Sequence, residues 1–189
     1  MILDVPYQSQ EPLETTEERR WCGIASLWMV IAYYLKDQAP KVEELLDKYG
    51  TDFEQGGFQH KDLLKIARDF GLSGFRKSWW AEPGVNPLLQ TFREEGESEK
   101  EIQEWLETNT KEGLFTIKKY LDEGQPIIVS LSPEFHDGQS THLVVIVGYD
   151  DQDLILHDPY KKGSNFKISE EEFKKYCIRQ AIIISKRQT

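Results

Sequence analysis

Cys22 opens an almost wholly apolar run that ends at Leu35 and contains no proline and no glycine beyond Gly23. The run suits a buried helix and is too short to cross a membrane, so we expect a central helix that begins at Cys22. A cysteine attacks as its thiolate, and the free backbone donors and dipole at a helix N-terminus stabilise that charge. The position therefore favours a nucleophilic thiol, although an apolar cysteine that opens a core helix is also common.

A nucleophilic thiol requires a base, and one histidine stands where it could serve. His142 opens an apolar strand directly after a polar loop, and Asp158 ends the next strand, with a turn near Asp151 between them. In an antiparallel hairpin with that turn, the residue opposite His142 lies at about position 159 to 161. His142 and Asp158 should therefore meet at one end of the hairpin, where Asp158 could accept a hydrogen bond from the imidazole and fix the tautomer that faces the thiol. A structural histidine at a sheet edge and an aspartate that ends a strand in a turn are also common.

The other histidines offer alternatives. His136, in a loop, and His157, beside Asp158, are rival bases, but His157 points away from Asp158 if the strand is regular. His60, at an expected helix start, is interpreted as structural. The four histidines and two cysteines show no spacing typical of zinc ligands, so we expect no metal and no cofactor.

Attack on a carbonyl also needs a donor for the oxyanion, in part a backbone N–H and in part a polar side chain. Gln8 and Gln10 both precede Cys22 and could supply that side chain. A glutamine in such a segment more commonly lies on the solvated surface without a catalytic role. The residues alone do not decide whether Gln8 or Gln10 supplies the donor.

The elements that must position these residues are mainly helices in the first half of the chain and strands in the last third. This order predicts an α+β fold rather than alternating strands and helices. Besides Cys22–Leu35, we expect helices over 42–49, 61–70, 99–108, 117–122 and 170–176, and strands over 126–132, 142–149, 153–157 and 181–185. We expect one domain over residues 1–189, with an acidic helical insertion around 81–115 that is a lid, a docking surface or a solvated helix packed on the core.

Composition excludes several classes of partner. Asp and Glu outnumber Lys and Arg by 33 to 23, for a net charge of -10, so no basic surface is available for nucleic acid. No apolar stretch is long enough to span a membrane, and the first residues lack a signal-peptide pattern, so the sequence as written predicts a cytoplasmic protein, or an exported one if a signal sequence was removed. Cys22 and Cys177 cannot form a disulfide framework. The oligomeric state is not encoded in any of these features.

Four segments together carry a resemblance to a known family: residues 4–10 (DVPYQSQ), 21–27 (WCGIASL), 121–129 (LDEGQPIIV), and 142–150 with 158–159. In their order and spacing they resemble the bacteriocin-leader-processing cysteine peptidase-like family, peptidase family thirty-nine, of the papain-like superfamily. The resemblance implies a papain-like fold, with the nucleophile on a central helix packed against a C-terminal antiparallel sheet. It also implies Cys22, His142 and Asp158 as a catalytic triad, and Gln10 rather than Gln8 in the oxyanion hole.

The expected function is therefore that of a cysteine peptidase, a thiol hydrolase that cleaves peptide or amide bonds through a thioester acyl-enzyme. The expected partner is a peptide or protein substrate. Two alternatives keep the same fold: an acyltransferase or transamidase that passes the acyl group to an amine, and a catalytically inactive module that binds peptides.

Overall fold

A computed structural model of the protein describes residues 1–11, 21–50, 58–78, 98–136 and 141–187. The helices are α1 (Cys22–Leu35), α2 (Val42–Tyr49), α3 (His60–Asp69), α4 (Glu99–Asp122) and α5 (Glu170–Tyr176). The strands are β1 (Leu72–Ser78), β2 (Ile127–Leu131), β3 (His142–Tyr149), β4 (Asp153–Asp158), β5 (Gly163–Ser169) and β6 (Cys177–Lys186). Short 3-10 turns cover Lys36–Gln38 and Pro133–Phe135. No helix in these ranges is both long and apolar enough to cross a membrane.

The strands form one antiparallel sheet in the order β1-β6-β2-β3-β4-β5, with helices packed on both of its faces. On one face α1, α2 and α3 share a core with Ile128, Val145 and Ile182. On the other face α4 and α5 pack on Ile146 and Ile183. Because β3 is covered on both sides, all but its last residue are buried, which explains an apolar run without alternation.

The predicted α+β class is confirmed, with the helix that begins at Cys22 packed against an antiparallel sheet, and the bounds predicted for α1, α2, α5 and β3 are those observed. Two strands, β1 and β5, were not predicted. Both lie at the edges of the sheet and have mixed polar sequences, and β5 is largely exposed or half-buried, so neither carries the apolar signal of a central strand.

The two helices predicted over 99–108 and 117–122 are one helix, α4. The stretch between them contains Gly113 but no proline, and an interior glycine costs a helix only about 1 kcal/mol. The buried side chains of Leu114, Ile117 and Leu121 hold the second half of α4 against the sheet. The described part of the predicted 81–115 insertion is therefore the beginning of a long helix, and its residues before position 98 lie outside the described ranges.

The hairpin of β3 and β4 sets the position of the predicted base. The N–H of Asp150 donates to the carbonyl of Asp153 (2.9 Å), and the Asp150 carboxylate accepts from the N–H of Asp153 (3.0 Å) and so closes a tight turn. Further along, Val145 pairs with His157, after a bulge. Continuing that register places His142 opposite position 160, within the range predicted from the turn.

The N-terminal segment runs beside this hairpin and ends at the same edge of the sheet. The N–H of Leu3 donates to the carbonyl of Val147 (2.7 Å), and that of Gln10 donates to the carbonyl of Pro159 (2.7 Å). Gly148 permits the close approach, because a side-chain carbon there would lie 2.8 Å from the Ile2 backbone. The segment thus delivers Gln10 to the end of β4.

Candidate active site

The structure brings Cys22, His142 and Asp158 into contact at one end of the sheet. Cys22 is the first residue of α1, and its thiol hydrogen-bonds the imidazole of His142. The backbone N–H groups of Gly23 and Leu143 also donate to the sulfur. The helix start therefore supplies a donor to the thiol, as the sequence predicts, and the neighbouring strand supplies a second.

Asp158 fixes the orientation of the imidazole. Nε2 of His142 lies 2.7 Å from Oδ1 of Asp158, so Nε2–H donates to the carboxylate. Because Asp158 occupies Nε2, the nitrogen left for the Cys22 thiol is Nδ1. The ring is also stacked on Phe135, with centroids 6.5 Å apart and planes inclined by 17°.

Asp158 is fully buried and is held as a carboxylate by its hydrogen bonds. The backbone N–H of Tyr160 donates to Oδ1 (3.0 Å), and that of Lys162 donates to Oδ2 (2.9 Å). Burial raises the pKa of Asp158, but the hydrogen bond and charge of His142, with these two amides, outweigh it and leave the pKa below its ordinary value. A buried carboxylate thus stays charged beside the imidazole.

The thiol and the imidazole shift each other's titration in opposite directions. Burial raises the pKa of the Cys22 thiol, yet the hydrogen bond and charge of His142 and the two backbone donors lower it below its ordinary value. Burial lowers the pKa of His142, but Asp158 and Cys22 together raise it to about 9. Each group therefore shifts the other toward its charged form, the thiolate and the imidazolium.

The two glutamines differ in what surrounds them. Gln10 is buried, with 6% of its surface exposed, and its backbone is tied to Pro159, the residue after Asp158. The side-chain amide of the half-buried Gln8 instead donates to the carbonyl of Ser9 (2.8 Å).

The rival base His157 and the histidine interpreted as structural, His60, both have hydrogen-bond partners away from the thiol. Nδ1 of His157 accepts the N–H of Asn165 (3.1 Å), so Nε2–H must donate to the carbonyl of Val5 (2.9 Å). Nε2 of His60 lies 2.7 Å from the hydroxyl of Ser130. Both rings are thereby fixed to structural partners of the sheet and the N-terminal segment.

His136, the other rival base named from the sequence, lies beside Asp158, a contact that the sequence interpretation did not predict. Its Nε2 lies 3.2 Å from Oδ2 of Asp158, and its ring centroid is 4.6 Å from that of His142. Burial lowers the pKa of His136, although the charge of Asp158 raises it. Pairing of β2 with β3 could have shown this proximity, because Leu131 lies opposite His142 and the connecting loop must return to that edge.

His136, His142 and Asp158 also form a group that could hold a metal ion, since their ligand atoms all lie within 4.8 Å of one another. The spacing of these residues in sequence is unlike that of common zinc motifs, which explains why no such group was expected.

Comparison with known proteins identifies a family and solved structures with a similar fold. The sequence profile of the Peptidase_C39 like family matches residues 2–180. A double glycine motif protease from an AMS/PCAT transporter, crystallised with a leader peptide, is 22% identical, with a TM-score of 0.58 over 98% of this chain and 94% of that one. No curated protein matches the chain.

Two further solved structures share the fold. A C39-like peptidase from Bacillus anthracis is 17% identical, with a TM-score of 0.61 over 100% of this chain and 98% of that one. The peptidase domain of Streptococcus ComA, a bifunctional ABC transporter involved in a quorum-sensing pathway, is 17% identical. Its TM-score is 0.59 over 89% of this chain and 93% of that one.

Proposed function

The chain belongs to the Peptidase_C39 like family and has the fold of papain-like cysteine peptidases, and from that premise we propose that it cleaves peptide bonds with Cys22, His142 and Asp158 as its catalytic triad. The observation that carries the proposal is the chain of contacts from the Cys22 thiol through His142 to the buried carboxylate of Asp158. Nucleophile, base and orienting group are the three roles that covalent catalysis of this kind requires.

In the first half-reaction the Cys22 thiolate attacks the carbonyl carbon of the scissile peptide bond. The carbonyl oxygen becomes an oxyanion, and Nδ1–H of the His142 imidazolium protonates the leaving amine as the C–N bond breaks. The product is a thioester on Cys22. In the second half-reaction His142 takes a proton from water, the hydroxide attacks the thioester, and the thiolate leaves with the release of a carboxylate product.

Asp158 serves by keeping Nε2–H of His142 engaged, so that Nδ1 always faces the thiol. Its charge also stabilises the imidazolium that both half-reactions use. Because two backbone amides hold the carboxylate in place, this orientation does not depend on a mobile side chain.

We assign the oxyanion donors to the side-chain amide of Gln10 and the backbone N–H of Cys22. The support is positional: Gln10 is buried beside Pro159, next to Asp158, whereas the amide of Gln8 is turned onto Ser9. A donor fixed before the reaction stabilises developing charge without reorganisation.

The test is exposure of the purified protein to a proteome-derived peptide library in H₂¹⁸O, followed by mass spectrometry. Hydrolysis predicts new C-termini that carry one ¹⁸O, produced by the wild-type protein and not by the matched Cys22→Ser variant. Added amines that are joined to the new ends without ¹⁸O would instead identify an acyltransferase. Equal peptide profiles for the two proteins would contradict the proposal and indicate a binding module.

A further inference from the structure

Behind the proposed catalytic histidine, on the side away from the thiol, three metal-ligating side chains converge. Asp158 presents one carboxylate oxygen to His142 at 2.7 Å and the other to His136 at 3.2 Å. The ligand atoms of the three residues lie within 4.8 Å of one another. Two imidazole nitrogens and one carboxylate are a donor set that zinc accepts, with a fourth position left for water.

His136 adds a second observation. Its side chain is 6% exposed, and among the described residues its buried Nε2 has no partner in regular hydrogen-bond geometry, although Oδ2 of Asp158 lies 3.2 Å away. A buried polar nitrogen without a partner is costly, so the position calls for an explanation. Its closest polar neighbour is Oδ2 of Asp158, whose negative charge would stabilise a cation placed between the two atoms.

Two of the distances within this group can be compared with those between the ligands of a zinc ion. Ligands about 2.0 Å from a tetrahedral zinc ion are roughly 3.3 Å apart, close to the 3.2 Å between His136 and Asp158. The 2.7 Å between His142 and Asp158 is shorter, so this edge must open by about half an ångström for a metal to enter.

We propose that His136, His142 and Asp158 form a binding site for a transition-metal dication of the zinc class. The ion bonds to Nε2 of both imidazoles and to the Asp158 carboxylate. It takes the place of the proton that His142 shares with Asp158, and that proton is released to solvent. Neutral His136 gains a ligand bond and loses no proton, because its remaining hydrogen resides on Nδ1.

The surroundings hold the ligands in place. The His136 ring packs 4.6 Å from Phe135 and 5.4 Å from Tyr160, measured between centroids, and the amides of Tyr160 and Lys162 restrain the carboxylate. Such supporting contacts raise metal affinity by orienting the ligands. The charge of Lys161, which acts on His136, opposes a dication, while the carboxylate favours it.

The consequence for activity rests on the proposed function. A metal on Nε2 breaks the hydrogen bond from His142 to Asp158, and the carboxylate then balances the charge of the metal instead of that of an imidazolium. The imidazole can therefore no longer accept and return the proton during the reaction. Metal binding is therefore a reversible off-switch for the peptidase. Binding itself does not require that the protein be a peptidase.

Cobalt(II) tests the site directly, because its visible spectrum reports coordination. The experiment uses full-length Cys22→Ala, which removes the neighbouring thiol, and Cys22→Ala with His136→Phe, which keeps an aromatic ring but removes the nitrogen. We expect the first protein to bind one Co²⁺ with the absorption of a four- or five-coordinate site. Zn²⁺ should displace it and millimolar Mg²⁺ should not. The His136→Phe change should weaken binding on the order of 100-fold.

Controls separate this site from others. His60→Gln removes an imidazole elsewhere and should leave Co²⁺ affinity unchanged, and His136→Gln repeats the test if thermal unfolding shows that the phenylalanine variant does not fold. Absence of Co²⁺ binding, equal binding after loss of His136, or a sulfur-to-cobalt band from Cys177 would overturn the inference. Binding by a protein that cleaves no peptide would refute only the proposed function.

Discussion

Two buried histidines of the same hairpin, His142 and His157, differ in what their rings contact. They are 8% and 3% exposed, respectively. His142 meets a carboxylate on one side and a thiol on the other, whereas His157 meets backbone groups at both nitrogens. The two histidines are therefore similar in burial and lie toward the same end of the hairpin. The groups that their ring nitrogens contact decide which of them can act as a base.

The difference shows how one element can be both scaffold and site. One partner of His142, the thiol, changes charge during the proposed reaction, and the other, Asp158, carries a constant charge; together they raise the pKa of His142 to about 9. The partners of His157 cannot change charge, so that ring joins the N-terminal segment to β4 and β5. We therefore expect substitutions at His142 to change rates and those at His157 to change stability.

The largest expected effect separates the two histidines directly. His142→Ala should lower kcat by about 10⁴-fold, since general acid–base catalysis is lost and the thiolate loses its counterion. His157→Ala should leave kcat per folded molecule unchanged and lower the free energy of unfolding by about 1–3 kcal/mol, because it leaves buried backbone groups unsatisfied. Steady-state kinetics and denaturant titration measure the two. A loss of kcat in folded His157→Ala would remove the distinction.

The next effect concerns the carboxylate that distinguishes the two rings. Asp158→Asn should lower kcat by about 10²–10⁴-fold, because an amide no longer stabilises the imidazolium or fixes its tautomer. The matched change Asp153→Asn, at the other end of β4, should leave kcat unaltered. Wild-type kcat in Asp158→Asn would show that the buried contact is structural only.

Two glutamines of the N-terminal segment, Gln10 and Gln8, should differ in their effect on the reaction. Gln10→Ala should lower kcat by about 10²–10³-fold with little change in KM, as expected for loss of an oxyanion donor. Gln8→Ala should have little effect, because that amide donates to the carbonyl of the neighbouring Ser9. The reverse ranking in steady-state assays would transfer the role to Gln8.

The smallest expected effect is on stability and concerns Tyr7, which packs against His157. The Tyr7 hydroxyl donates to the backbone carbonyl of Asp158 (3.1 Å), and its ring packs edge-on against His157. Tyr7→Phe keeps the ring, so it should lower stability by about 0.5–1.5 kcal/mol without changing kcat. Calorimetry should show a decrease in Tm of a few degrees. A change in kcat would show that this segment also tunes Asp158.

Sequence patterns predicted the elements that carry strong apolar signals. The helix Cys22–Leu35 and the strand His142–Tyr149 are buried along most of their length, and the turn at Asp150 fixed the hairpin register. These features are enough to predict from the sequence that His142 and Asp158 meet.

The edge strands and the neighbour of Asp158 could not be predicted in the same way. β1 and β5 form through backbone pairing, which leaves little trace in mixed polar sequences. The position of His136 follows only from the pairing of β2 with β3, and the strand patterns alone did not predict that these two strands pair.

The most direct test of the central claim, that His142 makes Cys22 a thiolate, is the pH dependence of iodoacetamide alkylation at Cys22, resolved from Cys177 by peptide mass spectrometry. In the wild-type protein we expect Cys22 to react well below its ordinary pKa of about 8.5, because the imidazolium persists up to its own pKa of about 9. In His142→Ala only burial and the backbone donors remain, so the titration should move up toward or beyond 8.5. A Cys22 that titrates alike in both proteins would contradict the account.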